Sequence, residues 1–70
     1  MVSDKRKILG WLAFYAEGGE PVSSMVLAAV CGFGPRGMGA RLSALERSGY
    51  VRRRDYGWEI TDTGKEASRG

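Results

Sequence analysis

Residues 32–37, Gly-Phe-Gly-Pro-Arg-Gly, match GxGxxG, a spacing that lets a backbone approach the pyrophosphate of a dinucleotide at a helix N-terminus. That chemistry needs a buried strand before the glycines, the helix of a βαβ unit after them, and an acidic residue roughly 20 positions on. The flanks do not supply it. Pro21 to Cys31 reads as a short helix, and the region about 20 residues past Gly37 holds Tyr56, Gly57 and Trp58. A chain of 70 residues is also too short for a doubly wound fold, because a domain of this size buries only about 60% of its unfolded surface. The glycines are therefore expected to end and start helices.

Catalytic chemistry lacks its parts. There is no histidine, and Cys31 is the one cysteine, so no nucleophile pair, zinc set or internal disulfide can be assembled. Cys31 reads as a small buried hydrophobe. Glu17, Glu20, Glu46, Asp55, Glu59, Asp62 and Glu66 fall in segments that read as solvated, with no pair set in apolar surroundings. No enzyme, cofactor or metal is expected. With 43% hydrophobic and 27% charged residues the composition is that of a globular domain. No apolar run approaches the ~20 residues that span a bilayer, and the amino terminus lacks the apolar core of a signal peptide. A cytoplasmic protein without membrane association is expected.

The arginines carry the remaining signal. Residues 36–54 hold six arginines against one glutamate, a net of +5, while residues 1–35 balance and residues 55–70 carry −2. All six are arginine, whose planar fork suits phosphates and guanine edges. A basic stretch concentrated on a small domain is the footprint of a nucleic-acid binder, or else a solvated face.

Local signals place that stretch on a fold. Ser3 caps a first helix, about 3–17, with Ile8, Leu12 and Tyr15 at helical spacing, Trp11 alongside and a stop at Gly18-Gly19. Ser23 caps a second, about 24–31, ending at Gly32. Gly34-Pro35 opens a third, about 35–48, that stops at Gly49. Tyr50 to Ile60 reads as two short strands joined through Asp55-Tyr56-Gly57, the glycine supplying a positive φ. Thr61 caps a short C-terminal helical turn. The expectation is one α+β domain over residues 1–70, three helices plus a two-stranded wing, in the order of a winged helix-turn-helix.

Leu45 to Ala67, LERSGYVRRRDYGWEITDTGKEA, resembles the end of the recognition helix, the wing and the following cap in MarR- and PadR-type transcriptional regulators. Leu45-Glu46, Gly49-Tyr50-Val51, Arg53 and Ile60-Thr61 with Gly64 fill that pattern. The resemblance implies sequence-specific binding to double-stranded DNA with the third helix in the major groove. In those families further helices build a dimer.

At 100° per residue the third helix divides into a buried stripe of Met38, Leu42 and Leu45 and an outer side of Arg36, Ala40, Ser43 and Arg47. The resemblance makes Arg36 the best-placed base reader, with Ala40 and Ser43 leaving room and Arg47 near phosphate or solvent. Gly37 and Gly39 lie on the flanks and imply a close approach, to the second helix or to the groove wall, or else a first turn that orders only on DNA. Arg41 sits beside the stripe, where it either contacts DNA or covers apolar surface. On the wing, Arg52 and Arg54 are expected to face phosphates with Glu59 across the hairpin, and Arg53 to pair locally or cap the core. Tyr56 at the tip either touches the minor groove or is an ordinary turn aromatic. Trp11, Phe14 and Tyr15 exceed what one face of a short helix buries, which suggests a homodimer interface. Alternatively, Trp11 and Tyr15 complete the core and Phe14 alone is exposed. A winged helix that docks on a protein partner through its arginine face is the competing functional class.

Overall fold

The computed structural model describes residues 3–69. Its elements are α1 (Asp4–Ala16), α2 (Ser24–Cys31), α3 (Pro35–Arg47), β1 (Val51–Arg54), β2 (Gly57–Ile60) and α4 (Asp62–Arg69). The helix starts follow their caps. The Ser3 hydroxyl accepts from the Arg6 N–H at 3.2 Å, and the Ser23 hydroxyl from the Val26 N–H at 3.2 Å. Each satisfies a donor that the first turn leaves free. α2 stops at Gly32, whose φ of 79° is left-handed and whose N–H returns to the Ala28 carbonyl, a conformation that a side chain disfavours. α3 begins at Pro35 behind Gly34. It ends with the Gly49 N–H on the Glu46 carbonyl and the Tyr50 N–H on the Leu45 carbonyl, both at 3.0 Å. These bonds close the last turn and send the chain directly into β1.

Gly32 and Gly34 thus sit between α2 and α3, in the turn of the helix-turn-helix, while Gly37 lies within α3. The element directly before these glycines is α2, not a buried strand.

β1 and β2 pair antiparallel in the register Val51–Ile60, Arg52–Glu59, Arg53–Trp58 and Arg54–Gly57. Asp55 and Tyr56 make the turn, and its left-handed residue is Asp55, at φ 50°, rather than Gly57 as expected. Gly57 instead lies in β2, where a Cβ would come within 2.7 Å of the Val22 backbone. Val22 bridges to Trp58 on that side, exchanging N–H···O bonds of 2.9 and 2.8 Å. A single residue between α1 and α2 therefore completes a third strand position.

The core joins Ile8, Leu9 and Leu12 of α1 with Leu27, Ala28 and Cys31 of α2, Met38, Leu42 and Leu45 of α3, and Val51, Trp58 and Ile60 of the hairpin. Leu9, which the reading of helix one did not single out, is fully buried. Tyr15 and Trp11 are only half-buried against this core.

α4 is longer than the expected turn and reaches Arg69. The Thr61 hydroxyl accepts from the Gly64 N–H at 3.0 Å and lies 2.6 and 3.0 Å from the Gly49 and Tyr50 carbonyls. This one side chain ties the start of α4 to the segment that leaves α3. The approach is close enough that a Cβ on Gly64 would stand 2.1 Å from the Tyr50 carbonyl oxygen.

Two glycine substitutions are therefore expected to act in opposite directions in thermal unfolding followed by circular dichroism. Gly64→Ala overpacks the α4 contact by about 1–3 kcal/mol and lowers Tm by roughly 5–20 °C. Gly39→Ala, inside α3 with nothing within 4 Å of its Cβ position, gains up to ~1 kcal/mol of helix propensity and raises Tm by roughly 4–8 °C. A Gly64→Ala protein that melts at or above wild type would show that α4 yields without cost.

Candidate nucleic-acid interface

With Met38, Leu42 and Leu45 turned inward, Arg36, Ala40, Ser43 and Arg47 all stand exposed on the opposite side of α3. Among the described residues neither Arg36 nor Arg47 makes an ion pair. This face is two unengaged guanidinium groups separated by small side chains. It can present both forks to acceptors such as phosphate oxygens or the O6 and N7 atoms of guanine.

Arg41 is turned another way. Its Nε and Nη2 lie 3.1 Å from Asp4 Oδ2, its Nη1 donates to the Gly37 carbonyl at 3.0 Å, and its guanidinium stacks over the Phe33 ring at 4.3 Å. It joins the first turn of α1 to α3 and to the turn before α3. Of the two expectations for Arg41, this arrangement is the covering one. A Cβ on Gly37 would meet Arg41 Nη1 at 2.9 Å, a contact that the end of the flexible arginine side chain can yield by shifting. Gly39 has no neighbour that close, so neither flanking glycine serves an approach to α2.

The wing arginines converge on one acid. Arg52 Nε donates to Glu59 Oε1, and Arg54 Nη1 donates to Glu59 Oε2 at 3.1 Å. Arg54 Nη1 also lies 3.4 Å from the Gly19 carbonyl. The hydrogen bond from Arg52, aided by that from Arg54, holds the Glu59 carboxyl below the usual glutamate range although partial burial opposes it. Cross-strand register predicts the pairing of Arg52 with Glu59, whereas the diagonal contact from Arg54 depends on the wing's twist. Arg53 lays its guanidinium over the Trp58 ring at 5.2 Å, capping the core as expected. Tyr56 is exposed at the wing tip, and its hydroxyl donates to Glu20 Oε2 at 3.2 Å. That bond and the charge on Glu20 push the phenol above its ordinary pKa.

On α1, Trp11, Phe14 and Tyr15 form an aromatic cluster, with centroids 5.9 Å apart for Trp11–Phe14, 6.0 Å for Trp11–Tyr15 and 5.5 Å for Phe14–Tyr15. Phe14 is 61% exposed, while the other two pack against the core. Met25 and Val26 of α2 are exposed as well. Sequence reading passed over them, although their place directly after the Ser23 cap, off the Leu27–Cys31 face, marks them as outward.

Among the described residues no helix is long and apolar enough to cross a membrane. No family model matches the chain, and no curated protein matches it. Among solved structures it is similar to the crystal structure of the hypothetical protein SSo2273 from Sulfolobus solfataricus, with a TM-score of 0.85 and 24% identity over 90% of this chain and 49% of that one. The chain spans about half the length of that structure. The likeness bears on architecture, and the fold is a small α+β winged helix-turn-helix with a two-stranded wing and a fourth, C-terminal helix.

Proposed function

We propose that this chain binds double-stranded DNA sequence-specifically, as a small transcriptional regulator, with α3 in the major groove and the wing on flanking phosphates. The observation that carries the reading is the outer face of α3, where Arg36 and Arg47 are exposed and unpaired among the described residues. Arg36 lies in the first turn, the part of a recognition helix that meets base edges in helix-turn-helix docking. The resemblance of Leu45 to Ala67 to MarR- and PadR-type regulators supports the same docking. In this reading two copies associate through the aromatic cluster of α1, because helix-turn-helix readers bind paired half-sites as dimers.

A selection of bound sites from a random duplex pool supplies the preferred sequence on which variants are compared. Arg36→Ala is expected to cost ~1–3 kcal/mol on that sequence and little on random duplex, whereas Arg52→Ala and Arg54→Ala weaken both alike. With about four phosphates neutralised per protomer, log K should fall against log salt with a slope of roughly −4. A protein with no detectable affinity for duplex at low salt would sink the proposal and direct the search to a protein partner. For assembly, Phe14→Glu should lower the sedimenting mass without unfolding the domain. A wild-type protein that sediments as a monomer at high concentration would refute the dimer.

A further inference from the structure

Three exposed side chains of the wing, Arg52, Arg54 and Tyr56, meet acids of the same chain, Arg54 also lying 4.0 Å from Asp55. Arg52 and Arg54 share Glu59, and Tyr56 donates to Glu20. Glu59 is placed for this by register, directly across from Arg52 and two pairs along, on the same face, from Arg54. Its side chain is 18% exposed, against 70% for Arg52 and 47% for Arg54. The carboxylate therefore lies beneath two guanidinium groups whose outer edges remain in water. Two oxygens accepting from two arginines is the arrangement that a backbone phosphate would offer to the same pair. The arginine hydrogen bonds hold the Glu59 carboxyl below the usual glutamate range.

We infer that Glu59 is an internal surrogate for a phosphate, so that seating the wing on DNA exchanges the Glu59 carboxylate for a backbone phosphate and Glu59 sets how tightly the wing binds. The inference rests on the DNA-binding reading above. Exposed ion pairs are individually weak, so Glu59 tunes affinity without blocking it. Phosphate contacts form on any sequence and base contacts on few, so this brake lowers binding to random and preferred duplex alike while leaving the contacts of α3 untouched.

The test compares wild type with Glu59→Gln on a random-sequence duplex by fluorescence anisotropy across a salt series. Glu59→Gln is expected to bind roughly fivefold more tightly at a fixed moderate salt, with a slope of log K against log salt steeper by about one. The gain should vanish when Arg52→Ala and Arg54→Ala are added, because no arginine then remains to be released. If Glu59→Gln does not fold, Glu59→Asp, which withdraws the carboxylate by one carbon, should show a smaller gain of the same sign. Unchanged affinity and slope in a folded variant, or a gain that persists without the two arginines, overturns the surrogate role while wild-type binding leaves the DNA reading standing. Absence of binding by wild type and variant alike overturns both.

Discussion

Burial of Met38, Leu42 and Leu45 fixes how α3 is turned about its own axis, and the whole outer face depends on that rotation. A turn of about 100°, one residue's worth, would bring Gly39, Ser43 and Glu46 inward instead. It would expose three apolar side chains worth about 1.5–3 kcal/mol each and push an unpaired carboxylate into the core, which costs more. The alternative rotation is therefore heavily disfavoured. Arg36 and Arg47 are outward because the three residues that share their helix have no other place to go. Arg41 adds a second restraint, since its bonds to Asp4 and the Gly37 carbonyl tie the first turn of α3 to α1.

The wing is held by different forces. Its seat is the pair of backbone hydrogen bonds between Val22 and Trp58, with Trp58 itself buried and Gly57 against the Val22 backbone. Ion pairs then orient side chains on that frame. Exposed charge pairs of this kind add little to stability, yet they decide which arginines reach solvent unengaged. By that criterion the six arginines of residues 36–54 separate into distinct groups. Arg36 and Arg47 are unengaged among the described residues, Arg52 and Arg54 are shared with Glu59, and Arg41 and Arg53 are folded onto Phe33 and Trp58.

Much of this was legible from local chemistry. Ser3, Ser23, Gly32 and the Gly34-Pro35 pair mark helix ends through bonds made within a few residues, and the helical period alone finds the stripe of α3. What escaped depends on approach between distant segments. Gly57 looks like a turn glycine in the sequence and Gly64 carries no local signal of its own, but their lack of a side chain serves close approach to the Val22 backbone and the Tyr50 carbonyl. Leu9 is buried because α1 packs against several elements rather than one, which widens its apolar face beyond a single stripe. The charge count of residues 36–54 could not show that two of the wing's three arginines are engaged by Glu59, which lies outside that stretch, nor that Asp4 answers Arg41, because partners 37 residues apart leave no local trace.

The order Val22, β2, β1 leaves β1 at the edge of the sheet, with three consecutive arginines, Arg52 to Arg54, along it. An edge strand presents unpaired backbone groups on which another strand can add. A second copy approaching in antiparallel register would have to bring its own arginine run against this one, and like charges directly opposite each other are destabilising. The run therefore opposes the pairing of two wings through their free edges, so that the same residues that would attract a polyanion also disfavour a second copy at the open side of a short sheet.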